Sequence, residues 1–525
     1  MIATRRPPGR AATIGGGLAL ALVAALTLGT LAALALRAEP GRGLGPAEWA
    51  AVRFTLLQSL LSAAVSCALA VPVARALARR RFPGRDAMAT LLGAPFLLPV
   101  IVAVFGLVAI WGRGGLVSDA LAGAGLPRLD IYGLTGVVLA HVFFNLPLVT
   151  RLLLQGWATI PAEQFRLAAQ LGFAPGDVFR RLEAPMLRAV LPGAFALVFL
   201  LCMTSFAVAL TLGGGPRATT VELAIYQAIR FDFDLGRAAW LGLIQFGLCA
   251  AATLLALRFA ADAGFGGGLG AAPRRWDADR ARLRALDACV LAALALFLGL
   301  PLAAAGVQGA LALPALPAAV WRAAALSLAV ALLSAALAFA LGLGLAGLAD
   351  ARKARGHGRG VETFGLLSLA ASPFVIGTGL FIVLHPVADP FALAVPVTAT
   401  VNAVMALPFV LRTLLPALTE AREVDGRLAD SLGMRGFSRF RLAVWPRLRR
   451  PAGFAIGLAA AFSMGDLGVI ALFAPPEVAT LPLLMQRLMA SFRNEAAAGV
   501  AFVLVALTLA LFWGFNRWGR GRAAA

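Results

Sequence analysis

The sequence predicts an all-α polytopic membrane protein with about 12 transmembrane helices, arranged as two parallel six-helix repeats. Three observations carry this. The 525 residues are 61% hydrophobic, with a mean hydropathy of +0.87. The apolar residues fall in runs of about 20 or more, enough to cross a bilayer as a helix. The chain also repeats itself: Gly172 and Gly433 lie 261 residues apart, and one gap-free register extends far to either side of them.

Only helices and closed barrels satisfy their backbone groups in lipid, and continuous apolar runs argue for helices. The first half offers spans at about 13–36, 54–74, 88–111, 133–154, 189–212 and 238–260. The second offers about 286–308, 320–348, 363–385, 391–415, 452–474 and 496–516. The first span follows Arg5, Arg6 and Arg10, and its length favours a retained anchor over a cleaved signal peptide. An even number of spans per half makes the repeats parallel rather than inverted. The domain reading is therefore a first repeat at 1–262, a Gly-rich and then charged linker at 263–285, and a second repeat at 286–525.

The net charge of +21 does not point to nucleic acid, because of where the arginines fall. They cluster after span 2 (Arg75, Arg79, Arg80, Arg81, Arg85), in the linker (Arg274, Arg275, Arg280, Arg282, Arg284), after span 8 (Arg352, Lys353, Arg355, Arg359) and at the end (Arg517, Arg520, Arg522). Both repeat loops are also Arg-rich, while the opposite loops are sparse or balanced, as Arg37 and Arg42 are by Glu39 and Glu48. Positive loops stay in the cytoplasm, so both termini and both repeat loops are expected there, in a multi-pass protein of a bacterial inner membrane. Cys67, Cys202, Cys249 and Cys289 have no metal-ligand spacing, and the three His are not clustered, so no metal site is expected.

The repeat is densest in the loop between the fourth and fifth spans of each half, at about 157–188 and 417–450. Arg166-Leu167-Ala168 matches Arg427-Leu428-Ala429, Gly172 matches Gly433, and Pro185 matches Pro446. Each loop reads as a short helix (166–171 and 427–432) closed by Gly in the left-handed conformation. A second short helix follows, broken by Pro before the next span. Two loops with the same Gly-to-Pro distance are more than a chance amphipathic connection.

These loops resemble the EAA motif of ABC importer permeases, in which Glu-Ala-Ala is followed by three residues, Gly and a later Pro. Here Arg166 and Arg427 stand at the Glu position, and Leu167 and Leu428 at the first Ala, while Ala168, Ala429, both Gly and both Pro are kept. The segments at 80–85, 140–155, 210–229 and 463–473 resemble the fused permease of thiamine and thiamine-phosphate importers. The resemblance implies a type I importer-like fold, with the loops as coupling helices for two copies of an ABC ATPase subunit. It also implies delivery of cargo by a periplasmic binding protein, and a cargo of thiamine and its phosphates. Ferric-iron permeases share the fused form and are the alternative within the class.

No Gly-rich turn precedes Lys353, the single lysine, so the chain carries no phosphate-binding loop. ATP is expected to be used by the partner, with no cofactor here, and no catalytic constellation is legible. Polar residues within spans are candidates for the substrate pathway, since lipid exposure would be costly. They are His141, Asn145, Ser205, Gln245, Asn402 and Asp466, of which His141 pairs with Asn402 in the repeat and Ser205 with Asp466. Helix–helix hydrogen bonding is the plainer role for each. Asp466, a carboxylate in an apolar run, suits a thiazolium cation. An ion-coupled secondary transporter would need more intramembrane ionisable groups than this one.

Overall fold

The computed structural model describes residues 10–38, 45–213, 215, 218–259, 275, 277, 280–353, 360 and 372–520. Arg5, Arg6, Arg274, Arg355, Arg359, Arg522, most of the linker and the start of the ninth expected span lie outside the described residues.

Helices account for the regular structure among the described residues, and no strand is formed. Ten helices are long and apolar enough to cross a membrane. They correspond to spans 1 (Thr13–Arg37), 2 (Pro46–Arg79), 3 (Val100–Gly123), 4 (Leu134–Thr159), 5 (Pro175–Met203), 6 (Leu235–Leu255), 7 (Ala281–Ala315), 8 (Ala318–Lys353), 10 (Ala394–Gly426) and 12 (Asn494–Arg520). Span 9 is described as Pro373–Leu384, and span 11 as Trp445–Met464 with Arg447, Arg449 and Arg450 in its first turns. The protein is therefore a multi-pass membrane protein. Buried hydroxyls inside the spans bond the carbonyl four residues back, as Thr27 does to Val23 (2.7 Å) and Thr55 to Ala51 (2.8 Å). This leaves no polar atom facing lipid at those positions.

The two halves cross over. Span 1 packs against the second half, where Gly379 of span 9 admits Thr30: a Cβ on that glycine would lie 2.4 Å from the Thr30 Cβ. Span 7 packs against the first half, where Gly106 of span 3 admits Pro301 at 2.3 Å from its carbonyl oxygen. Gly106 and Gly379 each lie in the third span of their half. Close approach of small residues is what packs helices in lipid, where no hydrophobic drive between helices remains.

Spans 5 and 11 correct one expectation. The runs at 189–212 and 452–474 are not unbroken helices. Each stops at a methionine, Met203 or Met464, and a short helix resumes at Phe206–Leu212 or Gly468–Phe473. Equivalent short helices follow at Val221–Arg230 and Leu481–Ala490. A hydroxyl of the second span in each half receives their first amides: Val221 N donates to Thr55 Oγ1 (3.0 Å), and Leu481 N to Ser327 Oγ (2.8 Å).

Candidate functional site

The two repeat loops share one backbone geometry. In the first, Pro161 lacks an amide hydrogen and disfavours helix at Ile160, so span 4 ends and a separate helix, Ala162–Gln170, begins. Phe173 N donates to Ala168 O (3.0 Å), Gly172 N donates to Ala169 O (3.1 Å), and Gly172 has φ +66°. This is a Schellman ending. In the second loop, Met434 N donates to Ala429 O (2.9 Å), Gly433 N donates to Asp430 O (3.1 Å), and Gly433 again has φ +66°. A Cβ at either glycine would meet nothing within 4 Å, so the left-handed backbone alone is what selects glycine.

Two expectations change. The second loop has no separate helix at 427–432, because span 10 runs unbroken from Ala394 to Ser431. Arg422 stands where the first loop has Pro161, so nothing interrupts the turn. Nor do Pro185 and Pro446 break the chain before the next span. Each sits in the first turn of its span helix, after a wider π turn at Phe179–Glu183 or Phe440–Val444. There Ala184 N bonds Phe179 O and Trp445 N bonds Phe440 O, five residues back, which absorbs the missing proline donor.

The faces of the two loops also match. Ala168 and Ala429 are each only 2% exposed, packed inward. Leu167 and Leu171 are 56% and 62% exposed, and Leu428 and Leu432 are 61% and 62% exposed. Residues four apart share a helix face, so each loop presents an apolar pair outward. Arg166 is exposed and lies 4.0 Å from Glu163.

The expected pathway residues separate into two groups. His141, Asn145 and Asn402 are buried inside the lobes. His141 Nδ1 lies 3.2 Å from Ser62 Oγ, and Asn145 Nδ2 donates to His141 O at 2.9 Å and lies 3.4 Å from Cys202 Sγ. In the second lobe Asn402 Nδ2 donates to Ser463 Oγ (3.0 Å), which donates to Ser334 Oγ (2.8 Å). Ser62 and Ser334 are equivalent, as are Cys202 and Ser463. These contacts tie spans 2, 4 and 5, and their counterparts 8, 10 and 11, into one lobe each. Gln245 Nε2 donates to Met203 O (3.0 Å), a carbonyl at the end of span 5.

Ser205 and Asp466 are not within helices but at the breaks after Met203 and Met464. Asp466 Oδ1 accepts from Gly468 N (3.2 Å), its buried Oδ2 has no partner, and Asn402 of the first group lies beside the carboxylate. The break lies against the other lobe: a Cβ on Gly465 would be 3.1 Å from Pro99 Cα. Nearby, the Phe206 ring of the first lobe packs on Phe374 of the second at 4.4 Å between centroids. A second carboxylate escaped the sequence reading. Glu222 is wholly buried; its Oε1 accepts from Gln245 (3.3 Å), its Oε2 has no partner, and Ser372 of the opposite lobe lies beside it. The signal was present, since Glu222 is the one carboxylate between Glu183 and Asp232. Among the described residues no group of His, Cys, Asp and Glu is arranged to hold a metal ion.

No protein-family model matches the chain. It is 42% identical over 522 residues to the thiamine transport system permease protein ThiP of Brucella abortus, covering 98% of this chain and 96% of that protein. It is 39% identical over 529 residues to the protein of the same name from Salmonella typhimurium, covering 97% of each. The molybdenum transport system permease protein ModB of Azotobacter vinelandii is 29% identical over 203 residues, 38% of this chain but 89% of that protein. A whole permease of that kind thus corresponds to less than half of this chain, as two fused lobes require. With near-complete coverage by relatives of this identity and a doubled permease fold, the chain belongs to the ThiP family of ABC importer permeases.

Proposed function

We propose that this chain is the membrane-spanning permease subunit of an ATP-driven importer of thiamine and its phosphates in a bacterial inner membrane. The observation that carries the proposal is the doubled loop: a left-handed glycine and an outward leucine pair, repeated at one offset. Two equivalent apolar docking surfaces suit two copies of one partner, and the relatives are named as thiamine transport permeases. The arginine distribution supports a cytoplasmic position for both loops and both termini, where ATPase subunits work. In this reading a periplasmic binding protein delivers cargo to the outer face. Closure of the ATPase subunits on ATP moves the two loops, the lobes rock, and the Phe206–Phe374 seam parts. Asp466 and Glu222 border that seam on opposite lobes and would face the thiazolium cation once it opens.

Reconstitution of the chain with its ATPase and binding protein in proteoliposomes tests this. Thiamine should accumulate only with ATP inside and binding protein outside, and ferric iron should not. Accumulation without ATP, driven by an ion gradient, would overturn the proposal. Topology supplies a separate check in intact cells. A cysteine at Arg280 should be inaccessible to an external maleimide and one at Ala120 accessible, both residues being exposed. External labelling at position 280 would contradict the orientation.

A further inference from the structure

The first loop is fastened to the linker between the lobes, whereas among the described residues the second loop is tied only within its own half, where the buried Asp350 of span 8 pairs with Arg422 and accepts from Thr419 (3.3 Å). Arg275, from the linker, is 6% exposed and donates to Glu183 Oε1 at 2.8 Å. It forks onto Asp277 through both carboxylate oxygens, at 2.7 Å each. Its guanidinium also lies 4.6 Å from the centre of the Phe165 ring, and Phe165 is on the helix Ala162–Gln170. Glu183, with no exposure, closes the π turn of the same loop. It takes further bonds from Arg75 Nε of span 2 (2.6 Å) and Trp157 Nε1 of span 4 (3.3 Å). A little further along, Asp287 of span 7 pairs with Arg79 and with Arg80 (2.6 Å). Burial raises the Asp277 carboxyl, but the bond and charge of Arg275 and the charge of Arg79 outweigh it and hold the group below the usual carboxylate range. Asp277 therefore stays charged at neutral pH.

The repeat supplies an internal comparison. Where the first half has Phe165, Glu183 and Trp157, the second has Gly426, Val444 and Leu418. The other pairs of the second loop, Arg439–Asp430 (2.9 Å) and Arg447 with Asp425 and Glu420, are partly exposed, and among the described residues no ion pair of this loop reaches the linker. Partly exposed pairs of that kind hold little, whereas Arg275, Glu183 and Asp277 are buried and bonded to one another, which fixes their geometry.

We infer that Arg275 is a positioning residue that clamps the first coupling loop to spans 2 and 4 and to the linker, so that the two loops are mechanically unequal despite the repeat. The clamp itself stands on geometry alone; only its consequence for transport rests on reading the loops as ATPase contacts. A push on the first loop then reaches span 7, the first helix of the second half of the sequence, through the linker. A push on the second loop reaches only its own lobe.

Hydrogen exchange on the purified full chain tests the clamp without any partner. Arg275→Ala should speed exchange at 162–183 about ten-fold and leave 423–444 unchanged. Glu183 keeps Arg75 and Trp157 in that variant, so the lobe should stay folded. Arg275→Lys, which cannot fork and stack at once, should fall between the two. If Arg275→Ala fails to assemble, Phe165→Leu removes the ring contact alone and should speed exchange in the same segment to a lesser extent. Unchanged exchange at 162–183, or equal change in both loops, would overturn the clamp. In the reconstituted complex, thiamine transported per ATP hydrolysed should fall about three-fold or more with ATPase binding retained. A constant ratio beside faster exchange would remove the role in transport. Loss of ATPase binding from mutants of the leucine pairs, but not from Arg275→Ala, would keep the coupling reading separate from the clamp.

Discussion

A chain carrying Gly172→Val and Gly433→Val is expected to reach the membrane at normal levels and yet to lose ATP-driven uptake. Both glycines have φ +66°, and a Cβ at either position clashes with nothing, so the cost is backbone strain alone. For a β-branched residue that cost is about 1–2 kcal/mol at each site. It falls on a surface turn outside the spans, which spares insertion. The turn aims Leu167 and Leu171, or Leu428 and Leu432, so relaxing it misplaces the docking pair. A loss of about 1.4 kcal/mol of binding is about ten-fold in affinity. ATPase copurification and uptake should therefore both fall, more in the double variant than in either single one. Normal uptake by the double variant at normal expression would remove the loops from the coupling role.

Asp466→Asn is expected to lower thiamine uptake about ten-fold while leaving the complex assembled, because about 1.4 kcal/mol of interaction with a passing cation is lost. The asparagine Oδ1 can still accept from Gly468 N, so the cap of the short helix survives. What disappears is the charge on the oxygen that has no partner. Had Asp466 only a structural role, the amide would serve nearly as well. Hydrogen bonds between membrane helices average about 0.6 kcal/mol, under three-fold in rate. Uptake measured against thiamine concentration separates the two cases, and an unchanged curve would take Asp466 out of the pathway. Glu222→Gln should behave in the same direction.

The repeat made much of this architecture legible before any coordinates. A single offset fixed the two loops, and glycine at a helix end predicted the left-handed turn found at both. The apolar runs located the spans but not their ends: span 3 is Val100–Gly123 rather than 88–111, and span 5 begins at Pro175 rather than 189. Three features were hidden for physical reasons. The breaks after Met203 and Met464 lie in apolar runs whose local pattern does not differ from helix. The continuity of span 10 depended on a single position, Arg422 in place of Pro161. The burial of His141, Asn145 and Asn402 within lobes follows from pairing with Ser62, Cys202 and Ser463, far away in sequence. The clamp at Arg275 was hidden in the same way, since its partner Glu183 lies 92 residues back and the charges alone read as membrane topology.

Cross-linking tests the central claim most directly. Single cysteines at Leu171 and at Leu432, in chains with the exposed Cys289 replaced by serine, would be treated with a short bismaleimide in the presence of the ATPase. The account predicts a permease–ATPase adduct from each, and adducts with two ATPase subunits when both cysteines are present. ATPase that remains bound to the permease but links to neither cysteine would contradict it.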